Sequence, residues 1–214
     1  MHAQPIRVML VDDHAVVRSG FRRFLEEFAD IRVVAEAESG ELAYRGYLES
    51  EPDVMVLDIS MPDTSGLALM QRLFARAPNA RVIIFSMHQD YAMAERALEG
   101  GARGYVTKSS APEILVNAVR EVAAGRLFVS ADVARAVAES KTGGQENPIT
   151  QLSTREFEIF QQLVGGRSPP DIARALNLSS KTIANYHTLI KQKLGVSSDI
   201  ELVRIALRQN LITP

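Results

Sequence analysis

The sequence predicts an α/β domain with a five-stranded parallel sheet, followed by a smaller all-α domain of four helices. Over the first 125 residues, short apolar runs alternate with segments of helical spacing, which is typical of a parallel sheet with helices on both faces. The segment KTGGQENP at 141–148 then interrupts this pattern with glycine, proline and polar residues. From Leu152 onward the chain has helical periodicity and repeated helix-start signals, without strand-like alternation.

The predicted strands are the short apolar runs of the first part of the chain. They cover Ile6–Val11, Ile31–Ala37, Val54–Leu57, Val82–Phe85 and Gly104–Val106. Helical spacing appears between them, for example over residues 16–28, where apolar residues recur every three or four positions. In sheets of this kind ligands bind at the carboxyl ends of the strands, so polar residues at those ends are candidate site residues.

Serine, a preferred N-cap residue, stands at each predicted helix start of the second part: Ser153, Ser168, Ser179, and Ser197 or Ser198. Glu156 completes a capping-box pattern, and Pro169 stands at a first helical position. A further short helix is predicted over 130–140. We therefore predict domains over 1–125 and 150–214, joined by a linker over 126–149 that contains this short helix.

The amino-acid composition argues against several classes of protein. The chain is 46% hydrophobic and 23% charged, which is too apolar for an intrinsically disordered protein. It has no cysteine, which excludes disulfides and thiolate metal sites and fits a reducing cytosol. No secretory signal and no apolar run of membrane-spanning length is recognisable, so we expect a soluble cytoplasmic protein without a membrane partner.

The net charge of −2 is unevenly distributed. Residues 148–214 carry eight Lys/Arg and five Asp/Glu, a balance of +3, whereas the first 147 carry sixteen and twenty-one, a balance of −5. An acidic first part and a mildly basic second part indicate two domains with different partners.

Charged and hydroxyl side chains come directly after the predicted strands, at the point where each strand ends. The stretch VMLVDDHAVVR at 8–18 places Asp12 and Asp13 after the first strand, and Asp58, Ser86 and Lys108 come after three others. Clustered carboxylates repel one another unless a cation joins them, and Mg2+ prefers oxygen ligands of this kind. Asp58 would then be a nucleophile that forms an aspartyl phosphate. The alternative is that each acid only caps the next helix.

One face of the helix predicted over 179–194 carries mostly short polar side chains, opposite a buried stripe of Ile183, Ile190 and Leu194. Short polar side chains suit close approach to DNA base edges, and lysines beside them can reach phosphates. The residues of this face are Lys181, Ala184, Asn185, Thr188 and Gln192. The preceding helix over 168–177 completes a helix-turn-helix arrangement. An ordinary solvent-facing amphipathic helix is the alternative.

Residues 6 to about 125 resemble the receiver domain of two-component response regulators, which has a flavodoxin-like fold. The motifs LVDDH, VLDISMPDTSG, IIFS and GYVTK occur in the family's order and spacing. The resemblance implies that Asp58 is the phosphoacceptor. It also implies Mg2+ bound by Asp13, Asp58 and the backbone carbonyl of Ser60, with Asp12 acting largely through water.

The same resemblance assigns Ser86 and Lys108 to the phosphoryl oxygens. Tyr105 matches the aromatic that turns inward when the Ser86 hydroxyl moves toward the phosphate, although a half-buried strand aromatic is the alternative. In one departure from the family pattern, Ser109 comes after Lys108, where many receivers have a cis-proline.

Residues 150–212 resemble the LuxR/NarL-type four-helix DNA-binding domain through the stretch LSTREFEIFQQLVGGRSPPDIARALNLSSKTIANYHTLIKQKLGVSS. The resemblance places Ala184, Asn185 and Thr188 at the bases and Lys181, Thr182 and Lys191 near the DNA backbone. It makes Leu202, Val203 and Ala206 candidates for dimer contacts, with a place in their own domain's core as the alternative. His187 stands where many relatives carry an apolar residue.

The chain is thus identified as a member of the LuxR/NarL (FixJ) class of bacterial response regulators, a phosphorylation-controlled, DNA-binding transcription regulator. The resemblance implies a sensor histidine kinase or phosphorelay protein as phosphodonor, double-stranded DNA as partner and a homodimer when phosphorylated. It implies self-dephosphorylation at most, not substrate turnover. Two alternatives remain: a phosphohydrolase with an aspartate nucleophile, and a receiver whose helical domain binds another protein.

Overall fold

The computed structural model describes residues 4–59, 61, 66–87, 91–142, 148–176, 178–209 and 211–212. The strands are β1 Ile6–Val11, β2 Ile31–Ala37, β3 Val54–Leu57, β4 Val82–Ser86, β5 Gly104–Thr107 and β6 Phe128–Val129. The helices of the first part are α1 Ala15–Leu25, α2 Gly40–Ser50, α3 Gly66–Arg76, α4 Tyr91–Glu99, α5 Pro112–Ala123 and α6 Ala131–Thr142. A 3₁₀ turn over Pro148–Gln151 precedes α7 Thr154–Val164, α8 Pro169–Ala175, α9 Ser180–Leu194 and α10 Asp199–Arg208.

The strands form one parallel sheet in the order β2-β1-β3-β4-β5-β6. The α/β fold class is confirmed, but the sheet has six strands rather than the predicted five. The additional strand β6 pairs Phe128 and Val129 with Gly104 and Tyr105. Two residues are too few to produce a detectable period in the sequence, so pairing with β5 alone defines this strand.

Both faces of the sheet are buried, and alternate residues of one strand face different helices. In β1, Val8 and Leu10 belong to the core formed with α1 and α5, whereas Met9 and Val11 belong to the core formed with α2, α3 and α4. Helices thus cover both faces of the central strands, and the carboxylates of Asp12 and Asp58 lie just beyond the carboxyl ends of β1 and β3.

The segment predicted as a linker contains β6 and α6, and both pack against the α/β domain. Helix α6 contacts α4 and β5, and its Asp132 accepts a hydrogen bond from the Thr107 hydroxyl at 2.8 Å. Helix α6 therefore extends the α/β domain beyond the predicted boundary at residue 125. Most of the stretch KTGGQENP lies outside the described residues.

The four predicted helices of the second part are present, and serine caps each of them as predicted. Ser153 and Glu156 form the reciprocal capping box of α7. The side chains of Ser168, Ser179 and Ser198 each accept a hydrogen bond from a backbone N–H in the first turn of α8, α9 and α10. Local hydrogen bonds thus define where each helix begins, which is why the sequence predicts these starts well. Among the described residues, no helix is both long and apolar enough to cross a membrane.

The two domains contact each other through α3 and α4 of the first and through the 3₁₀ turn and α7 of the second. The Arg96 guanidinium of α4 donates a hydrogen bond to the Ile149 carbonyl and lies 4.6 Å from the centre of the Phe157 ring. Ala184, Asn185 and Thr188 of α9 remain exposed in the presence of the first domain. In this arrangement the α/β domain does not cover the polar face of α9.

Candidate metal centre and nucleic-acid interface

Backbone hydrogen bonds to neighbouring strands position two of the three predicted acids. The Asp12 N–H donates to the Ala37 carbonyl at 3.1 Å, and the Asp58 N–H donates to the Val11 carbonyl at 2.8 Å. These bonds continue the ladders of β1 with β2 and of β3 with β1 for one residue beyond the strands. Because β1 and β3 are neighbours, both carboxylates lie at one edge of the sheet, where they are 5% and 3% exposed.

Lys108 lies between these two carboxylates. Its Nζ is 2.6 Å from Asp12 Oδ2 and 2.6 Å from Asp58 Oδ2, and the lysine side chain is only 7% exposed. The Lys108 N–H donates to the Ser86 carbonyl at 2.7 Å, which anchors the lysine to β4. Burial by itself lowers the pKa of Lys108, but the hydrogen bonds to both carboxylates outweigh it and raise the pKa above its usual value. Lys108 therefore compensates the charge of two of the three acids.

The sequence reasoning did not include His14 in the site, yet its imidazole completes the cluster. The His14 backbone N–H donates to Asp12 Oδ1 at 2.8 Å, and the ring Nδ1 lies 2.9 Å from Asp13 Oδ1. One ligand atom each from Asp12, Asp13, His14 and Asp58 lie within 4.8 Å of one another. The only signal in the sequence is the position of His14 directly after two acids, within the motif LVDDH.

These residues fit a divalent cation. Asp13 Oδ1 is buried and accepts no hydrogen bond of good geometry from any described residue, although His14 Nδ1 lies 2.9 Å from it, so this oxygen can still bind a cation. Several carboxylate oxygens close together are the donor set that hard divalent ions prefer. Ser60, whose backbone carbonyl is a predicted ligand, lies outside the described residues.

Ser86 and Tyr105 are both completely buried. Ser86 ends β4 beside Thr107 of β5, next to Lys108, which places its hydroxyl at the same sheet edge as the acids. Tyr105 packs into the core shared with α2, α3 and α4, so in this conformation it is a fully buried rather than a half-buried strand aromatic. Their participation in a switch stays a prediction.

The predicted DNA-reading face of α9 is accessible. Lys181, Ala184, Asn185 and Thr188 are exposed, and the Thr188 hydroxyl donates to the Ala184 carbonyl at 3.1 Å within the helix. Thr182 is half-buried, and its N–H donates to the Ser179 side chain at 3.1 Å, so it contributes to the helix cap. The structure thus brings four of the six predicted residues together on one open face.

The remaining predicted lysine connects α9 to α10. Lys191 Nζ lies 2.7 Å from Asp199 Oδ1, and His187 Nε2 lies 2.7 Å from the same oxygen. The hydrogen bond with Lys191 and, more weakly, the one with His187 hold the pKa of Asp199 below its usual value. Burial opposes this effect but does not outweigh it. The imidazole that departs from the family pattern therefore has a polar partner at the start of α10.

The structure places Leu202 and Ala206 in the core of their own domain, where they are 1% and 0% exposed. Val203 is half-buried against the same core. As dimer contacts, Leu202 and Ala206 would have to leave that core, so the intradomain alternative describes them in this structure. Ile200, at 69% exposed, is the large apolar side chain that α10 presents to solvent.

We expect Glu156 to make the stability of the helical domain sensitive to acid. Its carboxylate accepts from the Ser153 N–H at 2.6 Å and lies 2.7 Å from Lys193 Nζ. Burial by itself raises the pKa of Glu156, but Lys193 and Ser153 outweigh it and hold the pKa below the ordinary 4.5. Stability from this group is complete above the unfolded-state pKa and is lost as the pH falls through the lower folded-state pKa.

We expect Glu156→Gln to lower the free energy of unfolding by about 2 kcal/mol at neutral pH, since a buried charge-assisted network is lost. Below about pH 4.5 the difference from wild type should shrink, because wild-type Glu156 then becomes protonated too. Urea unfolding between pH 3 and pH 7 measures both effects. Glu201→Gln is the matched control, because Glu201 forms the same capping box at α10 but is more exposed. A pH-independent difference for Glu156→Gln would contradict the assignment.

The fold and the site together define a class, namely response regulators with a receiver domain and a DNA-binding helical domain. The family model of the response regulator receiver domain matches residues 8–120, and that of bacterial regulatory proteins of the luxR family matches residues 150–206. The chain belongs to this family of LuxR-type response regulators and is a phosphorylation-controlled transcription regulator.

Several relatives are similar along almost the whole chain. Response regulator UvrY from Escherichia coli (strain K12) is 35% identical over 208 residues, which cover 96% of this chain and 95% of UvrY. Transcriptional activator protein ExaE from Pseudomonas putida is 38% identical over 208 residues, covering 96% and 97%. The structure of RcsB from Salmonella enterica serovar Typhimurium, bound to a promoter in the presence of the phosphomimetic BeF3−, has a TM-score of 0.76 and 28% identity. The structural match covers 94% of this chain and 98% of the RcsB chain.

Proposed function

We propose that Asp58 is the residue that accepts the phosphoryl group. The observation that carries this proposal is the bridging of Asp12 and Asp58 by Lys108, which places a cation 2.6 Å from the proposed nucleophile. An Asp58 carboxylate oxygen attacks phosphorus, the new O–P bond forms, and the bond from phosphorus to the donor's leaving group breaks. Lys108 then neutralises a phosphoryl oxygen in place of the carboxylate oxygen that it contacts here.

The same cluster of acids would also hold the metal. Asp13 and Asp58, with the backbone carbonyl of Ser60 and with Asp12 through water, would bind Mg2+, which supplies positive charge to the phosphoryl oxygens. His14 orients this set, since its N–H donates to Asp12 and its ring lies against Asp13. The phosphoryl group leaves again by hydrolysis, so the domain dephosphorylates itself without turning over another substrate.

The second half of the proposal is that α9 reads double-stranded DNA. Ala184, Asn185 and Thr188 contact base edges, and Lys181 contacts phosphate. Thr182 and Lys191 lie nearer the DNA backbone, and they also hold the helix in place, through the cap at Ser179 and through Asp199 respectively. The structure of the relative RcsB on a promoter in the presence of a phosphomimetic supports this part of the proposal.

Phosphorylation connects the two halves. A sensor histidine kinase or a phosphorelay protein donates the phosphoryl group, and movement of Ser86 and Tyr105 then favours a homodimer that presents two copies of α9 to paired half-sites. The exposed side of α10 around Ile200 and Val203 is the dimer contact that we propose, in place of the buried Leu202 and Ala206. All of this takes place in the cytoplasm, where bacterial DNA is accessible.

The test is affinity for enriched genomic fragments, measured with and without a small phosphodonor and Mg2+. Wild type is expected to bind more tightly after phosphorylation, and Asp58→Asn is expected to show no change. Asp30→Asn is the matched control, because it removes an exposed carboxylate from the same domain. Equal binding by wild type and Asp58→Asn under all conditions would contradict the switch.

A further variant separates DNA reading from phosphorylation. Asn185→Ala should incorporate phosphoryl groups at the wild-type rate and lose about 1–3 kcal/mol of binding to the preferred fragments. If no fragment is retained above nonspecific binding at physiological salt, the DNA-reading half fails, and a protein-binding role for the helical domain replaces it.

A further inference from the structure

The loop that carries Lys108 is held by a cluster of hydroxyl groups around one carboxylate. Thr107, which is completely buried, donates from Oγ1 to Asp132 Oδ2 at 2.8 Å. The Ser110 hydroxyl lies 2.8 Å from the same Thr107 oxygen, and the Ser109 hydroxyl donates to it at 3.2 Å. The residues on both sides of Lys108 are thereby connected to Asp132.

Asp132 belongs to the first turn of α6, beyond residues 8–120 that match the receiver family. Its place relative to β5 is fixed by the backbone, since the Ser130 N–H donates to the Tyr105 carbonyl at 2.9 Å and β6 pairs with β5. Burial by itself raises the pKa of Asp132, but the nearby Ser130 side chain, the hydrogen bond from Thr107 and the backbone lower it. The carboxylate is thus held as an ionised acceptor at the base of the loop.

This anchoring matters because the residue after Lys108 is a serine rather than a proline. Proline restricts its own φ angle, whereas Ser109 leaves the backbone after Lys108 without that restriction. Lys108 Nζ nevertheless has to reach two buried carboxylates, each at 2.6 Å. A long side chain on an unrestrained loop would lose considerable conformational entropy on adopting that position. A loop that hydrogen bonds already hold has less conformational entropy to lose, so Lys108 adopts this position at a smaller cost.

We propose that Asp132 is a positioning residue for Lys108. Through the Thr107 hydroxyl it holds the loop so that the Lys108 ammonium lies where charge develops during phosphoryl transfer to Asp58. The inference rests on the proposed function in taking Asp58 as the acceptor and Lys108 as its cation. It makes helix α6, which the sequence assigned to a linker, part of the phosphorylation machinery.

The test is the rate of phosphoryl incorporation from a small phosphodonor with Mg2+, measured over a range of donor concentrations in the full chain. Asp132→Ala is expected to lower the maximal rate about tenfold, because small displacements of a catalytic cation are costly, and to leave the half-saturating donor concentration unchanged. Asp132→Asn should restore most of the rate, since its amide oxygen can still accept from Thr107. Thr107→Val should reproduce the loss, and Thr107→Ser should not.

Two control experiments show whether Asp132→Ala lowers the rate by displacing the Lys108 side chain. In a Lys108→Ala background, Asp132→Ala should cause no further loss, because the side chain that it positions is absent. Glu113→Ala removes an exposed acid from the first turn of α5 and should leave the rate unchanged. A wild-type rate for Asp132→Ala, or an equal loss in the Lys108→Ala background, would overturn the proposal. Failure of the proposed function looks different, because wild type and Asp58→Asn would then incorporate phosphate equally.

Discussion

Replacing Lys108 with methionine is expected to lower the free energy of unfolding by about 3 kcal/mol in metal-free buffer. The substitution keeps an apolar stem of similar length but leaves the carboxylates of Asp12 and Asp58 buried without their cation. Breaking a buried ion pair from one side is costly because the remaining charge loses its counter-ion while it stays shielded from water. Urea unfolding, monitored by circular dichroism, measures the loss.

The dependence of this loss on pH and on Mg2+ identifies its cause. The raised pKa of Lys108 means that its stabilising contribution is complete below the unfolded-state value of 10.5 and is lost only as the pH rises through the higher folded-state value. The stabilisation that Lys108 gives wild type should therefore not fall between pH 6 and pH 10. Mg2+ should stabilise Lys108→Met more than wild type, since the cation enters a site with more uncompensated negative charge.

Lys181→Met is the control for this experiment, because Lys181 is exposed on α9 and its loss should change stability by less than about 0.5 kcal/mol. An equally small loss for Lys108→Met would show that the buried carboxylates do not depend on the lysine.

Gly66→Ala is expected to lower the free energy of unfolding by about 2–3 kcal/mol and to slow phosphorylation of Asp58. A Cβ at Gly66 would lie 2.8 Å from the Asp58 carbonyl oxygen and 2.8 Å from Ile59 Cα, and both are backbone atoms that cannot rotate away. The start of α3 would therefore have to move away from the end of β3, which carries the proposed phosphoacceptor Asp58. Urea unfolding and phosphoryl incorporation from a small donor report the two effects.

Gly20→Ala is the matched substitution with the opposite expected sign. Gly20 lies within α1, where an added Cβ meets no atom within 4 Å. Alanine is the better helix former, so stability should rise by about 0.5–1 kcal/mol with no change in phosphorylation. If both glycine variants lost stability equally, the close approach at Gly66 would not be the reason.

The features predicted correctly from the sequence are those with local causes. The capping box of Ser153 and Glu156 involves residues three positions apart, and the structure forms it as predicted. The five longer strands coincide with apolar runs of the sequence. Because helices alternate with these runs, the strands can lie parallel in one sheet. Asp12, Asp58 and Lys108 gather because carboxyl ends of parallel strands meet at one edge.

The features that the sequence does not predict depend on partners distant in the chain. Strand β6 exists because two residues pair with β5, and Asp132 reaches Thr107 across 25 positions. The apolar spacing of Leu202 and Ala206 fits a dimer contact as well as a core, and only the packing of α10 against α7 distinguishes the two. Arg96 has no distinguishing pattern, since a surface arginine and one that contacts a second domain look alike in sequence.

The sequence by itself therefore determined the class of fold, the order of the two domains, the helix starts of the second domain and the strand ends at which the acids cluster. Only the tertiary structure decided that Lys108 joins Asp12 to Asp58, that α6 belongs to the first domain and that the polar face of α9 stays open beside it. The physical reason is the distance along the chain between the residues that interact. Periodicity and capping arise between residues a few positions apart, whereas charge compensation and domain contact depend on which surfaces the completed fold brings together.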